Sequence, residues 1–107
     1  MAAEPKETIA VLPFKINAQG PLDHLQLGLQ KTLSSRLEEK GFHIIPPHEI
    51  NKSPIAFAPA PEMTDLVALG KRLETDWMVA GSLTQIGNRA SIDLKVIDIA
   101  EKRPPFF

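Results

Sequence analysis

Residues 9–14 of this 107-residue chain have the sequence IAVLPF and contain no polar side chain. A strand that is apolar at every position, rather than at alternate positions, is typical of a sheet that helices cover on both faces. Pro13 has no backbone N–H to donate to a strand ladder, so we expect it near the end of this strand. The run therefore predicts a strand in the interior of a layered α/β domain.

The hydrophobic period changes to that of a helix after the first strand. Asp23 and Gln26 match a capping box at the start of this helix, and Gly41 offers the left-handed residue that ends many helices. Leucines spaced three or four residues apart trace one side of it: Leu22, Leu25, Leu29, Leu33 and Leu37. We expect this leucine stripe to be buried against the sheet.

The middle of the chain predicts a short strand, a loop and a second helix. Residues 42–45 form the strand, and residues 46–61, which hold five of the ten prolines, form a long extended loop. The second helix covers residues 62–74. It contains Gly70, which we expect to pack closely against a strand because glycine otherwise weakens a helix.

Two further strands, residues 77–86 and 90–99, are joined by a tight turn at Gly87 and Asn88. The second of them alternates apolar and polar side chains, which predicts an edge strand covered on one face. The predicted fold is a three-layer α/β/α domain with a mixed sheet. Its element order is β-α-β-α-β-β, with an antiparallel last strand, as in anticodon-binding domains.

The domain organisation follows from the two ends of the sequence. We expect residues 1–6 to be a disordered tail, residues 7–103 to be a single domain, and residues 104–107 to begin a linker or a truncated last strand. Residues 1–5, MAAEP, are compatible with two interpretations. The chain either begins after the cleavage site of an exported precursor or has a native cytosolic start.

Composition excludes several classes of function. Twelve Lys and Arg against thirteen Asp and Glu leave a net charge of −1, without the basic excess typical of nucleic-acid binding. The absence of cysteine excludes disulfides, thiol nucleophiles and cysteine-based zinc sites. His24, His43 and His48 lack the spacing of metal ligands. We therefore expect no catalytic residue and no metal site.

Two groups of residues are candidates for binding. The proline-rich loop, residues 51–61, and the edge strand, residues 91–99, are typical of contacts with a protein partner, and an exposed strand edge can accept an added strand. The predicted partner-binding residues are Ile50, Ile55, Phe57, Asp93 and Lys95. The alternative is a small-molecule or nucleotide site in the crevice after the first strand. It would be lined by Lys15, Asn17, Gln19 and Gly20.

Taken together, several motifs resemble the N-terminal domain of TolB. The run I-A-V-x-P-F at residues 9–14 is followed by L-G-x-x-L-x-x-D-x-x-x-x-G-S-L at residues 69–83, a tight turn, and V-x-D at residues 96–98. The resemblance covers nearly the whole chain. One departure is at Glu74, where the family pattern commonly has glycine. Residues 81–107 also resemble the leading domain of outer-membrane assembly proteins of the Omp85 type.

The resemblance implies an α/β/α fold whose fifth strand lies at or beyond residues 106–107. It also implies a non-enzymatic module without a cofactor, on the periplasmic side of the Gram-negative outer membrane. Such a module would be exported by a signal peptide that is absent from this sequence. Such a module would bind other envelope proteins, without nucleic acid and without being embedded in the membrane itself. Its parent protein would serve in outer-membrane assembly or envelope integrity.

Overall fold

The computed structural model describes residues 7–18, 23–58 and 61–100. The strands are β1 (Thr8–Val11), β2 (Lys15–Asn17), β3 (His43–Ile44), β4 (Trp77–Ile86) and β5 (Arg89–Asp98). The helices are α1 (Asp23–Glu39), α2 (Pro47–Ile50) and α3 (Met63–Arg72), with a 3₁₀ turn at Pro54–Phe57. The predicted tail at residues 1–6, the predicted linker or last strand at residues 104–107, and Leu22 lie outside the described residues. None of the described helices is long and apolar enough to span a bilayer.

The strands form one five-stranded mixed sheet. β1 pairs in parallel with β3 on one side and with β4 on the other. β2 also pairs in parallel with β4, and β5 runs antiparallel to β4 along the whole of both strands. Since β5 occupies one side of β4 throughout, β1 and β2 lie end to end along its other side. This arrangement confirms the predicted mixed sheet with an antiparallel last strand.

An extra residue separates β1 from β2. Ile9 lies opposite Trp77 and Lys15 lies opposite Ser82. The segment from Ile9 to Lys15 therefore contains one residue more than the part of β4 that it faces. Pro13 lies in this interruption, which confirms its expected place at a strand end. The ladder then resumes, so residues 15–17 form β2, a strand that the predicted element order β-α-β-α-β-β lacks.

The alternating side chains of β1 divide the core into two clusters, one on each face of the sheet. Ile9 and Val11 pack with Phe14, Val79 and the leucines of α1. On the other face, the core side chains belong to β1 and the residue after it, α2, the 3₁₀ turn, α3, β4, the end of β5 and the residue that follows it. They include Ala10, Leu12, Ile50, Ala56, Leu66, Leu69, Met78, Ile97 and Ile99. Because helices cover both faces, the predicted three-layer α/β/α fold is confirmed.

The leucine stripe of α1 is less buried than its spacing predicts. Leu29, Leu33 and Leu37 pack against the core but stay partly exposed. The buried positions of α1 are instead polar, Gln30 and Ser34. The Gln30 side chain can be buried because its Nε2 donates to the backbone oxygen of Val11 at 2.9 Å. The side chain of Asp23, predicted to cap α1, lies outside what the structure describes.

The predicted loop at residues 46–61 is wrong in one respect, because its described part contains two helical turns. Pro47 and Pro54 stand at the first positions of α2 and of the 3₁₀ turn, where a missing N–H costs nothing. The hydroxyl oxygen of Ser53 accepts a bond from the backbone N–H of Ile55 at 3.3 Å. The prolines therefore start short helices here rather than only preventing strands.

Two helices end in the same way with different residues. After α1, the N–H of Phe42 donates to Leu37 O at 3.2 Å, and Gly41 has φ 102°. After α3, the N–H of Thr75 donates to Gly70 O at 3.0 Å, and Glu74 has φ 59°. Both ends are Schellman motifs, which need a left-handed residue. Glu74 thus occupies a glycine-type conformation at the position where the TolB-like pattern commonly has glycine.

Candidate functional site

A groove lies where β2, β4, β5 and the 3₁₀ turn meet, and its volume is about 310 Å³. Ala80, Gly81 and Ser82 of β4 line it, between β2 on one side and β5 on the other. The far wall consists mostly of small and apolar residues: Leu12, Pro13, Ile55, Ala56, Ala58, Pro61 and Leu66. We call this the outer groove. It is an open, mainly apolar trough along the sheet.

Polar side chains border the outer groove on its two strand sides. Lys15 of β2 and Asp93 of β5 both lie opposite Ser82, which places the three in one row across the sheet. Asn17 follows along β2, and its Nδ2 donates to Thr84 Oγ1 at 3.4 Å. Lys95 lies opposite Ala80. Of the described residues that line the groove, the titratable ones are therefore two lysines and one aspartate.

A reciprocal pair of side-chain amides ties α1 to the segment that leads to the far wall. Gln30 Nε2 donates to Asn51 Oδ1 at 2.9 Å, and Asn51 Nδ2 donates to Gln30 Oε1 at 3.1 Å. Sequence reasoning missed this contact because Gln30 and Asn51 are ordinary polar residues in a helix and a turn. The only signal was a glutamine within the apolar side of a helix. The pair anchors the chain just before the 3₁₀ turn.

The structure brings most of the predicted site residues to this one groove. Ile55, Asp93 and Lys95 from the predicted partner-binding set line it, together with Lys15 and Asn17 from the alternative crevice. Phe57 is 44% exposed and lines an adjoining depression that shares Lys15 and Asn17. The two sets of residues, assigned to different functions from the sequence, thus form a single surface.

Other predicted site residues lie elsewhere. Ile50 was predicted to contact a partner, but it is fully buried in the core below the proline-rich segment. Its prediction is wrong, because α2 turns this side chain inward instead of presenting it as an extended loop would. Gln19 and Gly20 lie outside the described residues. Within the described part of the chain, no cluster of three or more His, Cys, Asp or Glu could hold a metal ion.

The face of β5 opposite Asp93 and Lys95 carries an apolar stripe whose exposure was not predicted from the sequence. Ile92, Leu94 and Val96 are 56%, 55% and 61% exposed. We call these three residues the β5 stripe. The alternation of β5 predicted that one of its faces would be covered, but residues 89–96 are exposed on both faces. The core cluster on this face includes Val79 of β4 but no residue of β5.

Gly81 marks the end of the covered region on the same face. A Cβ atom at this position would lie 2.6 Å from Phe14 Cε2 and 3.0 Å from Leu94 Cδ2. The ring of Phe14 therefore lies directly across the backbone of β4. Beyond this ring, the β4–β5 hairpin extends away from the core.

Comparison with known proteins places this architecture in context. A family model described as "HilA/YgeH-like transcriptional regulator, second domain" matches residues 5–103. A search among proteins of curated function finds no match.

Several solved structures share the fold at low sequence identity. The LpoB C-terminal domain from Salmonella enterica is 12% identical, with a TM-score of 0.69 over 91% of this chain and 75% of that one. Lipoprotein GNA1162 from Neisseria meningitidis is 14% identical, with a TM-score of 0.65 over 92% and 74%. The LpoB C-terminal domain from Escherichia coli is 11% identical, with a TM-score of 0.65 over 88% and 73%. This domain architecture therefore occurs in lipoproteins of Gram-negative bacteria.

Proposed function

The chain belongs to the HilA/YgeH-like family of transcriptional regulator second domains, and from that premise we propose that it is a non-enzymatic protein-interaction module. The family name describes the domain as one part of a larger regulator. A module of this kind acts by contact with other protein segments. We propose that the outer groove is the contact surface.

The observation that carries this proposal is the chemistry of the outer groove. Its walls are mainly apolar, and Lys15, Asn17, Asp93 and Lys95 stand at its borders. An apolar trough with a few polar groups at its edges suits a segment of protein chain, which buries side chains in the trough and directs backbone groups to the border. The exposed ring of Phe57 extends the apolar surface into the neighbouring depression.

We also propose that the domain works on the periplasmic side of the outer membrane, with envelope proteins as its partners. The TolB-like sequence pattern and the fold shared with lipoprotein GNA1162 support this location. The family name supports a different setting, as the second domain of a transcriptional regulator. Fractionating cells that express the native gene separates the two. Recovery with the outer membrane supports the envelope setting, and recovery with soluble cytoplasmic protein overturns it.

The groove itself is tested by filling it. Ser82 lies on β4 within the groove, so Ser82→Leu places a bulky side chain where the partner would lie. A photo-crosslinking residue at position 15 captures the partner from an extract of the source organism. We expect Ser82→Leu to reduce this capture at least about tenfold. The matched control is Ser91→Leu, which makes the same substitution on the neighbouring strand outside the described lining of the groove.

The alternative function, binding of a nucleotide or another small molecule, has its own test. Lys15 and Lys95 would contact an anionic group, and Asn17 would supply a polar contact. A thermal-shift screen with nucleotides and sugars measures such binding. Stabilisation by one of these ligands that Asn17→Ala abolishes would overturn the proposal of a purely protein-binding groove.

A further inference from the structure

β5 is an edge strand whose outer side is open within the described part of the chain. Its only described strand partner is β4. The N–H of Leu12 donates to Val79 O at 2.9 Å, so the backbone groups of Val79 point toward β1. Val96 lies opposite Val79, and it therefore sits at a non-hydrogen-bonded pair of the β4–β5 ladder. Its own N–H and C=O consequently point to the open side.

The same direction holds for the rest of the β5 stripe, because backbone orientation alternates along a strand. Leu94 and Ile92 stand two and four residues before Val96, so their N–H and C=O groups also point outward. The N–H of Ile99 donates to Asp76 O at 2.9 Å, so the backbone groups of Ile99 point toward β4. Ile92, Leu94 and Val96 are an odd number of residues from Ile99, which again directs their backbone groups to the open side. The stripe thus combines apolar side chains on one face with edge backbone groups that have no strand partner among the described residues.

We propose that β5 pairs with β5 of a second copy of this chain, antiparallel, about a two-fold axis at Leu94. The five-stranded sheets of the two copies then join into one sheet. In this register, Leu94 lies opposite Leu94 of the partner subunit, and the two residues exchange both backbone hydrogen bonds. Ile92 lies opposite Val96 of the partner subunit. This inference goes beyond the proposed function, although Asp93, Leu94 and Lys95, which line the outer groove, also form the proposed dimer contact.

The sequence of β5 is self-complementary in this register. Asp93 lies opposite Lys95 of the partner subunit, and the two-fold axis repeats that pair, so each dimer gains two pairs of opposite charges. These pairs fall at non-hydrogen-bonded positions of the new ladder, where facing side chains approach more closely. Apolar residues meet apolar residues on one face, and acid meets base on the other.

Charge also selects this register over its neighbours. In an antiparallel pair, directly opposite residues place their side chains on the same face of the sheet. A two-fold axis perpendicular to the sheet must therefore pass through one residue of β5 and not between two residues. An axis at Asp93 places two carboxylates opposite each other, and an axis at Lys95 places two ammonium groups opposite each other. Like charges in direct cross-strand contact destabilise a pairing. Leu94 at the centre avoids both.

Charge reversal tests the pairing by sedimentation or light scattering across a range of protein concentrations. We expect the unmodified chain to shift from monomer to dimer as concentration rises. Asp93→Lys and Lys95→Asp should each abolish the dimer, because each places like charges opposite one another. The double variant Asp93→Lys/Lys95→Asp should restore it. A wild-type chain that stays monomeric at every concentration, or a double variant as monomeric as the single ones, overturns the proposal.

Mixing the two single variants provides a further test of the same register. Each alone carries one sign of charge at both positions 93 and 95, and together the two chains are complementary. We expect the mixture to form a heterodimer although neither variant dimerises alone. Failure of the mixture to associate, when both variants retain the wild-type melting temperature, also overturns the proposal.

Position-specific crosslinking locates the axis. Two Leu94 Cα atoms on the axis would be about 5.5 Å apart, within the range that a disulfide spans. The chain contains no native cysteine. Under mild oxidation, or with a short bifunctional thiol reagent, Leu94→Cys should give a covalent dimer. Ile92→Cys, equally exposed on the same face but distant from its own copy, should not. Equal crosslinking of both variants would overturn the two-fold register.

Discussion

The inner and outer halves of the same sheet differ sharply in burial. In the inner half, formed by β1, β3 and the first part of β4, side chains on both faces belong to the core clusters. In the outer half, beyond Gly81, the β4–β5 hairpin is exposed on both faces along most of β5. Both halves contain apolar strand residues at regular spacing. The difference is whether a helix lies above them.

This difference separates residues that stabilise the fold from residues that are available for contacts. Met78 of β4 and Leu94 of β5 are both apolar residues within long strands, yet Met78 is fully buried and Leu94 is 55% exposed. Burial of apolar surface is what gives such residues their effect on stability. The outer half therefore contributes little to folding, and its apolar side chains remain available for binding.

The largest expected loss in the free energy of unfolding is for a substitution in the inner half. Leu69 of α3 is 1% exposed and belongs to the core cluster that faces this helix. Leu69→Ala should lower the free energy of unfolding by about 2–5 kcal/mol, because it removes buried methyl groups and leaves a cavity. Urea denaturation followed by circular dichroism measures the change. A loss no larger than that of Leu94→Ala would contradict the division of the sheet into two halves.

Gly81, at the boundary between the halves, should show the next largest effect. Gly81→Ala places a Cβ 2.6 Å from the Phe14 ring, so the ring or the strand must move. We expect a destabilisation of about 1–3 kcal/mol, measured in the same denaturation assay. Gly28→Ala is the control, since no atom lies within 4 Å of its added methyl group. Alanine is favoured over glycine within a helix, so this control should be neutral or stabilising.

A smaller effect of the opposite sign is expected where the chain enters the inner half. Glu74 has φ 59°, a conformation that favours glycine, at the end of α3 just before β4. Glu74→Gly should raise the free energy of unfolding by about 0.5–1 kcal/mol, because it relieves steric strain in the left-handed residue. The increase should appear as a higher melting temperature in calorimetry. A lower melting temperature would show that the glutamate side chain stabilises this turn more than its strain destabilises it.

The smallest effect is expected in the outer half. Ile92→Thr and Val96→Thr replace exposed apolar side chains with residues that also favour strands. At concentrations where the chain is monomeric, each should change the free energy of unfolding by less than about 0.5 kcal/mol. Denaturation at low protein concentration checks this value. A loss comparable with that of Leu69→Ala would mean that another part of the chain covers the stripe.

Secondary structure was largely predictable because its signals are local. The apolar run at residues 9–14, the leucine spacing and the turn at Gly87 each depend on neighbours in the chain. The longer predicted strands and helices agree closely with those observed, but the first strand is shorter than predicted and β2 was not predicted. Gly41 at the end of α1 was predicted for the same reason. The short helices at residues 47–57 were missed, because proline indicates both a loop and the first turn of a helix.

The candidate site was predictable in its members but not in its assembly. Ile55, Asp93, Lys15 and Asn17 were each singled out from the sequence, for two different functions. They meet in one groove because the strand register places Lys15 and Asp93 on either side of Ser82. Along the chain, Lys15 is about seventy residues from Ser82 and Asp93 is eleven residues from it. No local pattern contains that register.

Local chemistry was thus sufficient to establish the α/β layers, the order of the longer elements and the edge position of the last strand, but it did not predict β2 or α2. Burial was decided only in three dimensions. Gln30 is buried because the Val11 carbonyl and the Asn51 amide lie within reach of its side chain. The β5 stripe is exposed because the core on that face ends at Phe14 and Val79 and does not extend to β5. Hydrophobic spacing indicates which residues could be buried. Only the packing of helices against the sheet determines which of them are buried.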